Sequence, residues 1–451
     1  VGGSFDADSE LAIVKEILIW ILPNNGYETV LTFKEHLRGY LREHPGISVF
    51  AKVRTPASLW EDLFRIIKNP HHRPRPDIVQ LPAHWTSTLA HLGLLQDLKE
   101  LDSRLDLRKW FPPVQDNCRF EGSGGIYSLP WWMELRALYY SVGALQKAKI
   151  DPASLAQWKG FRSACERLAA GGYPRPVANP NPHESVIMAD LAPSIWSAGG
   201  DFFSKDGSRS LFQRDDATQA IAAYFELLDK GWMPLKGQSG PTPKNLIEGG
   251  CVFELSGRFP TAAAPRRRAE AALPRAERQR PSKGRPARLA SRPRRRVIAR
   301  SSGIGGLPKG IGVGPYPAAG RGSSAMLTCA NLAILREVEG PRETYALFRE
   351  LVREAPAAGY ARAIGALPAT ETELAICLEE VPEFKDVFRR AIGAIKTFPN
   401  LKALGTLEKV FNRTLERLVG DVLARDYAPE VLRRELIHAA AEIDYVLSLY
   451  G

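Results

Sequence analysis

Short apolar runs alternate with helical stripes through the first hundred residues. The run at 17–22 (ILIWIL) is apolar and stopped by Pro23, which predicts a buried strand. Residues 27–43 then place Val30, Leu31, Phe33, Leu37 and Leu41 near one face at helical spacing. A turn and second strand follow at 44–53, an amphipathic helix at 57–68, and a third strand at 75–82 bounded by prolines. A third helix opens with WTSTLAHLGLLQDL. Strand alternating with helix in this way predicts an α/β layer with parallel strands and right-handed crossovers. Ligands bind such layers at the carboxyl ends of the strands, which puts Asn24, Asn25, His84 and Trp85 on one rim.

After GGIYSLPWWMELRALYYS (124–141) the pattern changes. Helices are expected near 153–170 and 213–230, strands in IGVGPYP and CANLAIL, and mostly amphipathic helix from 341 to 451, broken at Pro356, Pro368 and Pro399. Several short boundaries, rather than one long linker, predict lobes that the chain visits more than once. A chain of 451 residues is long enough for two such units.

Charge changes the picture at one place only. The net charge of +11 would point to nucleic acid if it were spread over the fold. Residues 261–300 alone hold 13 Arg and one Lys against two Glu, a net of +12, which leaves −1 for the other 411 residues. This segment has no aromatic residue for base stacking and no amphipathic period. It has the composition that GC-rich coding DNA yields out of frame, so 261–303 is expected to be aberrant or disordered. Reading the other two frames of the coding DNA tests this, because a patterned, less basic sequence should appear in one of them. The five cysteines are far apart, with no C-x-x-C pair, and are expected as buried or half-buried free thiols.

Candidate chemistry is polar and aromatic rather than catalytic. No nucleophile elbow, zinc-protease motif, P-loop or dinucleotide fingerprint is present in the sequence. Neither a catalytic residue, a metal nor a cofactor is expected. Asn24 and Asn25 offer donors and acceptors that suit sugar hydroxyls, or else cap the helix that follows. Trp131 and Trp132 beside Glu134 give flat rings with one carboxylate, suited to a pyranose face and its hydroxyls or to core packing and a surface ion pair. SIWSAGGDFF supplies Trp196, Gly199 and Gly200, and LSGRFP supplies Arg258 and Phe259; both read as backbone close to a ligand or as tight turns.

Taken together, these stretches resemble the extracellular solute-binding proteins of carbohydrate ABC transporters, the maltose-binding-protein class. ILIWILPNNGY is similar to that family's first strand and ligand loop. RPDIVQLPAHWTSTLAHLGLLQDL is similar to its Pro-Asp-Ile/Val strand and following helix, and GGIYSLPWWMELRALYYS to its passage into the second lobe. WSAGGDFFSKDG, NLIEGGCVFELSGRFP and IGVGPYP follow in family order. Ser141 stands where the family usually has Asn, and Phe259 where a stacking Trp is frequent.

The resemblance implies a two-lobe periplasmic-binding-protein-like fold of type II, each lobe a mainly parallel sheet flanked by helices and joined by hinge crossings. It implies an N-terminal lobe from 10–128 and 304–355 and a C-terminal lobe from 129–260 and 356–451. Asn24, Asn25, His84, Trp85, Trp131, Trp132, Glu134, Trp196, Gly199, Gly200, Arg258 and Phe259 would face a carbohydrate. The protein would be a non-enzymatic monomer in the periplasm or outside the cell, handing its ligand to a membrane permease, with no nucleic-acid partner. No signal peptide or lipobox is visible in this chain. A polysaccharide-acting enzyme with an open cleft is the alternative, and nucleic-acid association through the Arg-rich segment a third reading.

Overall fold

The computed structural model describes residues 15–24, 28–120, 122–179, 186–235, 246, 249–258, 306–320, 322 and 325–450. The Arg-rich segment therefore lies outside the described residues. The strands are β1 (Lys15–Ile21), β2 (Ile47–Val53), β3 (Ile78–Pro82), β4 (Leu129–Leu135), β5 (Ala137–Ser141), β6 (Val177–Ala178), β7 (Phe253–Ser256), β8 (Ile311–Pro315), β9 (Ala325–Ile334), β10 (Leu367–Pro368) and β11 (Ile395–Lys396). They form two sheets. The larger has the order β10-β4-β9-β3-β1-β2, with β11 also on β9, and the smaller the order β6-β7-β5-β8.

The first part of the large sheet follows from local pattern. β1 buries Ile17, Ile19, Trp20 and Ile21, and pairs in parallel with β2 and β3. The helix Pro56–Lys68 starts with proline, is capped by the Thr55 hydroxyl accepting from Ser58 N at 3.2 Å, and buries Leu59, Leu63 and Ile66. The helix Thr29–Glu43 buries Thr29, Phe33 and Leu37, but Leu31, expected on that face, is exposed. At 3.6 residues per turn, Leu31 sits about 200° from Phe33 and cannot share its stripe.

Among the strands of the described residues, parallel pairing is confined to β2-β1-β3 in the large sheet, β11 on β9, and β6 on β7. β9 runs antiparallel to both β3 and β4, and β5 runs antiparallel to β7 and β8. The reason is connectivity. β4 leaves the large sheet for the small one, and β9 returns beside it, so the two crossing strands point in opposite directions.

Arg136 is the single residue between β4 and β5, and residues 316–324 carry the chain back from β8 to β9. β8, which follows the expected boundary at 304, belongs to the small sheet. The helix Glu354–Ala363, expected beyond the boundary at 356, packs on β4 and β10 of the large sheet. The helix Pro382–Ala391 packs on β8. The small sheet's core gathers the helices Trp158–Ala170, Met188–Ala198, Asp215–Asp229, Leu404–Ala424 and Pro429–Ser448. All five cysteines are free, and four of them are buried.

One buried charge site in the small sheet yields a prediction. Glu254 on β7 lies opposite Tyr139 on β5 and Ala178 on β6, and neither carboxylate oxygen makes a well-formed hydrogen bond, Ser256 being the polar side chain that acts on it. Burial pushes its pKa up to about 8, with the neighbouring Ser256 side chain pulling it partly back. The folded protein thus keeps Glu254 protonated through neutral pH, while the unfolded chain ionises it near its ordinary value. Stability falls as pH rises from about 4.5 to about 8 and levels off above that, by on the order of 3–5 kcal/mol from this group. Glu254→Gln should raise the melting temperature clearly at pH 8.5 and little at pH 4.5. Parallel melting curves of the two proteins across that range would contradict this assignment.

Candidate binding site between the two sheets

The amide that ends β1 is taken up within the large lobe. Asn24 Nδ2 donates to Gln80 Oε1 at 2.9 Å and to the Tyr360 hydroxyl at 2.8 Å, and Gln80 Nε2 donates back to Asn24 Oδ1 at 2.9 Å. Gln80 Oε1 also accepts the N–H of Leu22 at 3.1 Å. Asn24 is buried and locks the carboxyl ends of β1 and β3 together. It is not a helix cap, since Glu28 holds that position. Asn25 and Phe259, also expected to touch a ligand, lie outside the described residues.

Tyr360 continues inward. Its ring stacks on Trp131 with centroids 4.3 Å apart and planes 8° from parallel, and Phe33 meets both rings edge-on. Burial pushes the Tyr360 hydroxyl up to about 12, against the pull of Asn24 and the Arg258 charge. Trp131, expected to offer a ring face to a ligand, has none to offer: it is 0% exposed. Adjacent residues on a strand point to opposite sides, so Trp132, itself only 6% exposed, and Glu134 turn to the other face.

There, Arg258 Nε donates to Glu134 Oε1 at 2.5 Å, and its guanidinium lies 4.9 Å from the Trp132 ring centroid. Arg258 follows the end of β7, and its N–H is taken by Ser256 Oγ at 3.2 Å. The backbone approaches closely enough that a Cβ on Gly257 would stand 2.6 Å from that of Glu134. Glycine is required there for the small lobe's loop to reach β4.

His84 and Trp85 sit where β3 runs into the helix Trp85–His91. Both contact one oxygen of Glu408: Trp85 Nε1 donates to Oε2 at 2.5 Å, and His84 Nε2 lies 3.0 Å from it. Lys409 stands over the faces of Trp85 and Trp60 at 5.4 and 5.9 Å. Burial works to raise the Glu408 pKa, but the His84 charge, the two hydrogen bonds and Lys409 together outweigh it and hold it below the ordinary value. Sequence reasoning missed Glu408, Gln80 and Tyr360. Glu408 had a signal: it falls on the stripe Leu404, Glu408, Phe411, Leu415, a lone carboxylate among core positions.

Trp196 donates Nε1–H to Asp201 Oδ1 at 2.9 Å, and its ring meets Phe398 edge-on. Phe398 also meets His84, at 5.2 Å, so it joins Trp196 to the His84 group. Gly199 and Gly200 each have a local backbone duty. Gly199 ends its helix at φ 93°, a conformation that favours glycine, and a Cβ on Gly200 would press on Ala217 at 3.0 Å. Pro82, Ala330 and Trp132 form one cross-strand row, so the Trp132 group and the end of β3 share a rim. Among the described residues no group of three His, Cys, Asp or Glu side chains could hold a metal ion.

Two α/β units, joined by short crossings and facing each other across aromatic and charged side chains, define the class of two-lobe binding proteins. Residues 68–384 match the bacterial extracellular solute-binding protein family, and the chain belongs to that family. Solved structures agree in fold. The GacH receptor of Streptomyces glaucescens, solved unliganded and with acarbose, is 14% identical with a TM-score of 0.70, covering 97% of this chain and 99% of its own. A solute-binding protein from Thermotoga lettingae with bound α-D-tagatose is 15% identical with a TM-score of 0.72, covering 96% and 100%. Maltose-bound MalE3 of T. maritima is 17% identical with a TM-score of 0.69, covering 96% and 99%. No curated protein matches the chain in sequence. No helix among the described residues is long and apolar enough to cross a membrane.

Proposed function

We propose that this protein binds a sugar or oligosaccharide between its lobes, outside the cytoplasm, and delivers it as a monomer to an ABC transporter permease. The observation that carries this reading is the meeting of flat rings and polar groups from both sheets at one rim. Trp132 offers a ring, Glu134 and Arg258 offer an acceptor and donors, and His84, Trp85 and Trp196 stand nearby. Rings suit the apolar faces of a pyranose, and the ionic groups suit its hydroxyls. The acarbose, tagatose and maltose bound by structurally similar proteins point to the same ligand class. A ligand touching both lobes only when they are closed favours closure by that difference in contact.

Titration calorimetry against mono- and oligosaccharides tests the reading. A binding sugar should be recovered unchanged, as expected of a carrier and not of a hydrolase. Glu134→Ala should weaken its affinity by at least ~1 kcal/mol, about fivefold, because it removes an ionised acceptor and frees Arg258. Unchanged affinity would remove Glu134 from the site.

A further inference from the structure

The helix Leu404–Ala424 belongs to the small lobe by its packing. Leu404, Leu407, Phe411, Leu415 and Leu418 share a core with Phe202, Phe212 and Ile221, and Asn412 Oδ1 accepts the N–H of Met188 at 2.8 Å. Its opening turns nevertheless hold the large lobe. Gly405 N donates to Thr88 Oγ1 at 3.0 Å, and Gly405 lies against the Trp60 ring with no room for a Cβ. One turn on, Glu408 receives Trp85 and His84, and Lys409 covers the Trp85 ring.

A carboxylate is a costly choice at this position. Packing alone would favour leucine on the stripe of Leu404, Phe411 and Leu415, since burying a charge costs several kcal/mol unless partners offset it. Lys409 on the same helix offsets part of this cost, but both hydrogen-bonding partners come from the other lobe. We propose that Glu408 is a closure latch, a small-lobe carboxylate that holds the His84–Trp85 pair of the large lobe and stabilises the closed arrangement before any ligand arrives. Opening the lobes strips both donors from Oε2 and exposes the Trp85 ring face that Lys409 covers. Glu408 thus acts through His84 and Trp85 as a positioning residue. The proposal deepens the two-lobe carrier reading, but its test needs no sugar, so its failure is separable from a failure of sugar binding.

The test is the inter-lobe distance distribution of the unliganded full chain. Spin labels carried on noncanonical side chains at exposed Lys34 and Arg434 sit one on each lobe, and pulsed dipolar spectroscopy reads their separation. Glu408→Ala should raise the ratio of open to closed molecules about tenfold, the worth of a charge-assisted hydrogen bond. Glu408→Gln keeps an acceptor for Trp85 and should recover part of the closed population. His84→Ala loosens the latch from the large lobe and leaves Glu408 in place, giving up one edge-on ring contact with Phe398, which covers the case of a Glu408→Ala protein that does not fold. A melting temperature that falls in these variants while the distances stay unchanged would make Glu408 a purely structural residue and overturn the proposal.

Discussion

Arg136→Met should cost roughly 3–5 kcal/mol of unfolding free energy, the usual result of removing one partner from a buried ion pair. Arg136 Nη1 stands 2.9 Å from Asp190 Oδ1, and both side chains are almost wholly enclosed. Burial opposes the Arg136 charge, yet the Asp190 and Glu134 carboxylates outweigh it and hold its pKa above the ordinary value. Asp190 is itself anchored, because its Oδ2 accepts the N–H of Ile187 at 3.0 Å. Its main-chain carbonyl accepts the Tyr316 hydroxyl at 3.1 Å. Arg136 is the first passage between the sheets and Tyr316 lies on the second, so one aspartate on the helix Met188–Ala198 ties both down. Urea unfolding of the variant measures the loss. The double variant Arg136→Met with Asp190→Leu should regain much of it, since no bare charge remains. A loss under ~1 kcal/mol in the single variant would show that the pair is not what fixes the crossings.

Trp131→Ala should be comparably damaging, at about 3–5 kcal/mol, through the cavity left between Phe33 and Tyr360. The indole is fully enclosed and stacked at 4.3 Å, and the Tyr360 hydroxyl above it holds Asn24. Its loss therefore loosens the lock between β1 and β3 as well as the core. Trp132→Ala should behave differently. That ring is also largely buried, at 6% exposed, but it faces Arg258, so its removal should cost sugar affinity as well as stability. Denaturant unfolding and calorimetry on the two variants separate the roles; identical profiles would mean that the alternation along β4 does not divide core from site.

These contrasts show what the chain makes legible and what it hides. The succession β1, helix, β2, helix, β3 is visible because each element is written locally, as an apolar run or a 3.6-residue stripe. The direction of β9 is not local. It depends on where a strand returns after visiting the other sheet, nearly two hundred residues after β4. Asn24 could be placed at a strand end from sequence, but its partners Gln80 and Tyr360 are 56 and 336 residues away. Hydrogen bonds across such separations leave no periodic trace. Trp131 and Trp132 could be assigned to opposite faces from their adjacency, yet nothing local says which face is wet. Glu408 did break an apolar stripe. Such a break marks a buried partner without naming it, and His84 and Trp85 lie more than three hundred residues upstream.

Small-angle X-ray scattering, recorded with and without a sugar that calorimetry shows to bind, tests the two-lobe carrier most directly. Saturation should reduce the radius of gyration as the lobes settle around the ligand, and Glu134→Ala should need more sugar to reach the same compact curve. A sugar that binds tightly while leaving the radius of gyration unchanged would contradict the account.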